Sequence, residues 1–240
     1  MIIHVVGVGM GPHHLTPEAV AALDRAAYVI AAAKSHDDPL LAVRQEICGS
    51  FDDLPVVPIQ DPPRDRDPDD YGAAVRKWHT ARAKVYAEII RARPGDPAFL
   101  VWGDPSLYDS TIRIADRIAV ELDAEVSVVP GISAPSLLAA RHRIVLHEVG
   151  RPVHVTTARR MRESVDAGQQ NIVVMLSGDL DGLTGLEDWS IWWGANLGSP
   201  SERLIRGRVG EVIGGLRAAR EAARTEVGWV MDVYLLRAMP

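Results

Sequence analysis

A run of four apolar residues that stops at Gly-Asp-Pro constrains this chain more than any other stretch. Phe99 to Trp102 have the composition of a short strand covered on both faces. Gly103-Asp104-Pro105 then breaks it: glycine allows unusual dihedrals, the Asp104 carboxylate can accept from nearby backbone N–H groups, and proline fixes its own φ. Ser106 to Asp109 set polar groups over the break, and Ser110 before Thr111-Ile112-Arg113-Ile114 reads as a helix cap. Ligands on open α/β sheets collect at the carboxyl ends of strands, and this is such an end. The alternative is a plain tight turn in which Asp104 bonds its own backbone.

Two further corners have the same construction. Ile2 to Val8 is a β-branched run that ends in Gly7-Val8-Gly9-Met10-Gly11, and Thr16-Pro17-Glu18 opens a helix after it. Glu125 to Val129 ends in Pro130-Gly131-Ile132-Ser133, with backbone groups suited to cradling a polar ligand. The first glycine spacing is GxGxG rather than GxGxxG, and the second strand (Tyr28 to Ala33) ends without an acid to hold a ribose, which weakens a nicotinamide-binding reading. Strands are expected at Val56 to Ile59, Val153 to Thr157, Ile172 to Leu176, Ser190 to Trp193 and Trp229 to Leu236. A solvated loop is expected at Gln60 to Asp70. Tyr71, Val75, Trp78, Val85 and Ile89 form a helical stripe that Arg82 interrupts, and Trp78 and His79 are candidates for the border of a substrate cleft. The expected architecture is α/β: two α/β domains, residues 1–123 and 124–240, each a mixed or mostly parallel sheet with helices on both faces.

Composition narrows the function. A net charge of −6 with no basic block argues against nucleic acid or an anionic membrane as partner, and no apolar run reaches a membrane span. One cysteine among 240 residues permits no internal disulfide or Cys cluster, and MIIHVVGVG has no basic leader, so a cytoplasmic protein is expected. The eight histidines show no metal-ligand spacing, so no metal is expected. Trp189, Trp192 and Trp193 crowd one short segment, which suits either a core or a dimer interface.

VGVGMGPHHLTPEAV, LVWGDPSLYDST and VVPGISAPSLLAARHRI, in this order and spacing, resemble the tetrapyrrole (class III) methyltransferases over the whole chain. DYGAAVRKWH, RPVHVTTARR, VVMLSGD and IWWGANLGSP point, within that family, toward precorrin-type substrates. The resemblance implies two α/β domains with S-adenosylmethionine in an active-site cleft between them, and a homodimer. Carried over by position, it implies that Trp102, Gly103, Asp104 and Leu107 meet the methyl donor, with Met10, Ser133, Ala134, Leu176 and Leu197 completing the pocket. Uroporphyrinogen methylases have proline where this chain has Met10, and an aspartate after the second strand where it has Val29 to Ala33. The substrate implied carries an acetyl group that leaves as acetate. For that step Asp104 or His142 is the candidate base and Tyr108 the oxyanion donor. The alternative for His142 is a helix-end histidine bonded to a carbonyl. Arg141, Arg143, Arg159 and Arg160 are candidates for binding substrate carboxylates. A methylase acting at another carbon and a non-catalytic tetrapyrrole- or nucleotide-binding module are the competing readings.

Overall fold

The computed structural model describes residues 1–32, 39–52, 54–63, 65, 68–228 and 230–239. They form two compact units, Met1–Ile132 and Ser133–Pro240. The first holds β1 (Ile2–Gly7), α1 (Pro17–Leu23), β2 (Tyr28–Ala32), α2 (Pro39–Cys48), β3 (Val56–Ile59), α3 (Tyr71–Arg91), β4 (Pro97–Val101), α4 (Thr111–Leu122) and β5 (Glu125–Val129). All five strands are parallel, in the order β3-β2-β4-β1-β5, with Val5 paired to Phe99 on one side and Val128 on the other.

Both faces of this sheet are covered, which is why its strands are apolar at nearly every position. Ile3, Val5, Tyr28, Ile30, Phe99 and Val101 pack on one face against Tyr86, Ile90, Ile114 and Ile118 of α3 and α4. Val6, Val29, Ala98 and Leu100 pack on the other against Ala19, Leu23, Ile47 and Cys48 of α1 and α2. Thr16 caps α1 as expected, accepting from the Ala19 N–H at 3.1 Å, with Pro17 at the first helical position. Ser110 does not cap α4 through its side chain; Asp109 does the nearby work, its Oδ1 accepting from the Thr111 N–H at 2.6 Å.

Two expectations are corrected here. The boundary at residue 123 falls one strand early, because β5 pairs with β1 and completes the first sheet. The start of the 60–70 loop is not simply solvated: Pro62 O accepts from Trp78 Nε1 at 2.9 Å and Asp61 pairs with Arg82. Ala33 and Trp229, placed in strands by sequence, lie outside the described residues.

The second unit holds α5 (Ala134–His142), β6 (His154–Thr157), α6 (Ala158–Asp166), β7 (Asn171–Met175), β8 (Ser190–Ala195), β9 (Arg203–Arg208), α7 (Val209–Val227) and β10 (Asp232–Arg237). Its sheet is mixed, in the order β6-β7-β10-β8-β9, with β10 antiparallel to both neighbours at the centre. One face packs Ile172, Val174, Ile191, Trp193, Tyr234 and Leu236 against Met161 of α6 and Leu216 of α7. On the other, Leu138 of α5 seats against Gly194, where an added Cβ would come within 2.9 Å of it. Trp193 is fully buried and Trp189 packs on the same core, so these two belong to the fold and lend no weight to a dimer. Trp192 carries the Arg237 guanidinium over its ring at 5.3 Å. Among the described residues no helix is long and apolar enough to cross a membrane.

His4 on β1 is 2% exposed and neither ring nitrogen has a hydrogen-bond partner among the described residues. Burial holds its pKa below the ordinary histidine value, opposed by Asp96 and reinforced by Arg25. The unfolded chain then takes up this proton at a higher pH than the folded one, so stability falls as pH drops below about 6.5. His4→Leu should flatten urea-unfolding stability between neutral and mildly acid pH, leaving a residual slope from His142, which is shifted in the same direction. An unchanged slope in a folded variant would remove His4 as the source.

Candidate active site

The carboxyl ends of β4, β1 and β5 lie side by side, and their loops meet backbone to backbone. Gly9 and Gly103 form a two-bond bridge: Gly103 N–H donates to Gly9 O at 2.7 Å and Gly9 N–H to Gly103 O at 3.2 Å. Gly103 holds φ at 72° and Gly9 at 64°, the left-handed region that a side chain disfavours. A Cβ on Gly131 would lie 2.1 Å from Gly103 O and 2.8 Å from Gly7 C, and one on Gly7 would lie 2.6 Å from Gly131 N. The floor of the site is therefore bare peptide, and three chain segments can share it only because none carries a side chain there.

Asp104 latches this floor. Its Oδ1 accepts from the Ser106 N–H at 2.9 Å and from the Ser106 hydroxyl, and its Oδ2 accepts from the Gly131 N–H at 3.0 Å. Burial favours the protonated carboxyl, but the Ser106 and Gly131 hydrogen bonds outweigh it and hold the group below its usual pKa. A carboxylate so committed is a poor proton acceptor at neutral pH. The plain-turn reading of Asp104 is thus what the geometry contains, extended by a bond to a loop 27 residues away.

Around the latch, the Leu107 N–H closes the turn onto Asp104 O at 3.2 Å. Tyr108 is 45% exposed with φ at 52°, an aromatic residue in the left-handed region. Trp102 is half-buried and its shielded Nε1 has no hydrogen-bond partner among the described residues. Met10 is buried at 4% exposure. An indole N–H without a protein acceptor beside bare peptide suits a flat polar ligand, so these residues fit the methyl donor that the sequence resemblance implies.

In the second unit, Ser133 caps α5, its Oγ accepting from the Ser136 N–H at 3.3 Å, and Ala134 is the first helical residue. Leu176, just past β7, is 64% exposed with φ at 56°. Leu197 is 1% exposed and is packed against Gly194, so its side chain serves the core. His142 is 5% exposed at the end of α5, with Nε2 2.9 Å from Trp193 O. Because a carbonyl only accepts, Nε2 carries the proton, and burial depresses the pKa against the opposing effect of that bond. His142 is the helix-end histidine bonded to a carbonyl, a lock between α5 and β8 rather than a group presented to water. Arg141 is engaged by Glu202 at 2.8 and 3.0 Å, exposed Arg160 by Glu163, and Arg143 is the left-handed C-cap of α5.

Among the described residues no cluster of three or more His, Cys, Asp or Glu is placed to hold a metal. A polar group that the sequence reading did not assemble lies at the carboxyl edge of β2 and β4. There Arg82 Nε donates to Asp61 Oδ1 at 2.8 Å and its terminal nitrogen donates to the Tyr86 hydroxyl at 2.8 Å. The interruption of the α3 apolar stripe by Arg82 was the available signal. Trp78 and His79, taken as candidates for a cleft border, are respectively stacked with Arg82 at 4.6 Å and buried at 8% exposure.

A parallel sheet with glycine-built corners on its carboxyl side, followed by a mixed sheet with its last strand central, defines a class. A model of the tetrapyrrole (corrin/porphyrin) methylases matches residues 3–213, and the chain belongs to this family. It is 40% identical over 247 residues to precorrin-6A synthase [deacetylating] of Sinorhizobium sp., covering 98% of this chain and 94% of that one. A crystal structure described as a cobalamin synthesis related protein (CobF) from Corynebacterium diphtheriae is 38% identical, covers 100% of both chains and gives a TM-score of 0.85. Uroporphyrin-III C-methyl transferase from Thermus thermophilus complexed with S-adenyl homocysteine is 18% identical and covers 99% of this chain and 92% of that one. Its TM-score is 0.59, a likeness of fold.

Gly131→Ala should lower stability by about 1–3 kcal/mol, since its Cβ meets backbone that cannot yield cheaply. The same variant should weaken binding of S-adenosylhomocysteine in a calorimetric titration. Gly178→Ala, where a Cβ meets nothing within 4 Å, is the control and should change neither. Equal behaviour of the two variants would show that the glycine floor is not under packing constraint.

Proposed function

We propose that this protein is an S-adenosylmethionine-dependent C-methyltransferase of cobalamin biosynthesis that converts precorrin-5 to precorrin-6A, methylating C-1 with release of acetate. The observation that carries this reading is 40% identity over 98% of the chain to a precorrin-6A synthase [deacetylating]. The glycine floor, the orphaned Trp102 indole N–H and the exposed Tyr108 support it as a site for a donor and a large flat acceptor. When bound, the donor supplies an electrophilic sulfonium methyl. The chain's share is to hold the acceptor carbon in line with that methyl, a positioning task that requires no metal.

Acetate release calls for water to add to the acetyl carbonyl. The resulting tetrahedral adduct then expels acetate as the C–C bond breaks, and its electron pair passes to the ring carbon that is methylated. Asp104 and His142 are not offered here as the base: the first is held ionised by three hydrogen bonds, the second is sealed against a carbonyl. Tyr108 is retained as the donor that stabilises the developing oxyanion. The cofactor contacts Met10, Trp102, Gly103, Asp104 and Leu107 in the first unit, and Ser133, Ala134, Leu176 and Leu197 in the second, remain part of the proposal. A cytoplasmic homodimer completes it. Cys48, buried with its thiol pushed up to about 11, suits a reducing compartment, and light scattering tests the dimer.

Incubation with precorrin-5 and methyl-labelled S-adenosylmethionine should give, by mass spectrometry, a product that has gained one labelled methyl and lost its acetyl group, with one acetate per methyl. Methylation without acetate would instead indicate another ring carbon, and donor binding with no transfer would indicate a binding module. Tyr108→Phe should lower kcat on the order of 10²-fold while donor affinity stays unchanged. A wild-type rate would remove Tyr108 from the chemistry.

A further inference from the structure

Two non-glycine residues leave the second sheet in the left-handed region, and they flank the start of its central strand. Leu176, just past β7, has φ at 56°, and Asn196, just past β8, has φ at 49°. Asn196 is suited to that conformation: its Oδ1 accepts from the Met231 N–H at 3.0 Å, and its own N–H donates to Met231 O at 2.8 Å. Leu176 has no side-chain polar atom with which to hold itself. It is also 64% exposed, so burial of its side chain does little to offset the backbone conformation.

What holds Leu176 comes from α7. Arg220 lies four residues after Leu216 and three before Ala223, on the buried stripe of that helix, where an apolar residue is the usual occupant. Its Nε donates to Asp232 Oδ2 at 3.0 Å and its terminal nitrogen donates to Ser177 O at 3.2 Å. The Ser177 hydroxyl donates in turn to Asp179 O, so this residue is held at both its carbonyl and its side chain. On the other side, Met175 is paired to Val233 of β10 and Thr157 of β6. Leu176 is the single residue between these fixed points and takes up the change of direction. The Asp232 side chain has no exposed surface, and Trp193 Nε1 donates to the same Oδ2 at 3.1 Å. Replacing a buried ion pair by apolar residues is often neutral for stability, so the use of this one lies in direction: it aims the guanidinium at Ser177 O.

We infer that Arg220 and Asp232 are positioning residues for methyl-donor binding. Asp232 aims the Arg220 guanidinium, Arg220 clamps the Ser177 carbonyl, and the clamp keeps Leu176 exposed in the left-handed conformation in which it meets the donor. This rests on the assignment of Leu176 to the donor in the function proposed above.

The variant that tests it is Arg220→Met/Asp232→Asn, which removes both charges together, leaves neither buried alone, and keeps an oxygen for the Trp193 N–H. S-adenosylhomocysteine is titrated by calorimetry into the wild type, this pair variant, Leu176→Ala and the triple variant, each with a cooperative melt. The pair variant should bind about tenfold more weakly, the scale of coupling within one hydrogen-bonded network, and Leu176→Ala should weaken binding as well. In the Leu176→Ala background the pair substitution should cost nothing further, because the residue it acts through is already gone. Arg220→Lys keeps the charge beside Asp232 and loses the second nitrogen that reaches Ser177 O; as the milder variant it should show the same dependence on Leu176. Unchanged affinity in folded variants, or an equal loss in both backgrounds, would overturn the inference. The clamp is also read with no ligand present. Backbone chemical shifts and the HN–Hα coupling of Leu176 should report a positive φ in the wild type and its loss in the pair variant, and wild-type values in that variant would overturn the inference too. A wild type that binds no S-adenosylhomocysteine would refute the donor reading itself, whereas the shifts decide the clamp without a donor.

Discussion

Contact of peptide with peptide, at Gly7, Gly103 and Gly131, is the constraint on which the first unit's functional edge depends. Parallel strands normally splay their loops apart as side chains claim the space above the sheet. Here one position at the end of each of three neighbouring strands has given up the Cβ, and an added methyl at Gly131 would sit only 2.1 Å from a carbonyl oxygen. The Asp104 carboxylate then ties the middle loop to the outer one by accepting from Gly131. Gly9 and Gly103 take up positive φ at no steric cost, and the conformational energy held in Tyr108, also at positive φ, is tolerable because the bridge and the latch determine these loops from several directions at once.

Much of this edge was legible in the sequence. β-Branched runs that end in glycine announce parallel strands and their corners, and Thr16-Pro17 announces a helix start, because these signals are local. Partners far apart in the chain were not legible. Nothing near Asp104 reveals that its second oxygen belongs to Gly131, and nothing near His142 reveals the Trp193 carbonyl. β5 was assigned to the wrong sheet since its own residues look alike in either, and only its pairing with Ile2 to Val6 decides. β9 escaped notice because Arg203–Arg208 is an edge strand with alternating exposure, and its polar residues read as loop.

The two units bury polar groups by different means. Around Arg82 in the first, charge, phenol and aromatic ring satisfy one another at the sheet edge. In the second, Asp232 has a fully buried side chain whose Oδ2 accepts from Trp193 Nε1 and Arg220 Nε, at 3.1 and 3.0 Å. Burial raises its pKa even against those partners, and Oδ1 has no partner among the described residues. The Asp232 group joins β10, β8 and α7, so it fixes orientation within a core; the Arg82 group joins α3 to the segment that follows β3 at the edge of one.

The central place of β10 has a consequence for how the protein is made. By the time Val129 has left the ribosome, every strand of the first sheet exists, and that unit can close while synthesis continues. The second cannot. β7 and β8 are not neighbours, and each waits with an open edge for a strand that begins at Asp232, some way beyond Met175 and Ala195 where they end, a delay of roughly 2–11 s at ordinary elongation rates. For that interval the nascent chain carries a finished domain followed by two apolar half-sheets. The six residues Asp232–Arg237 decide whether they join each other or a neighbouring polysome.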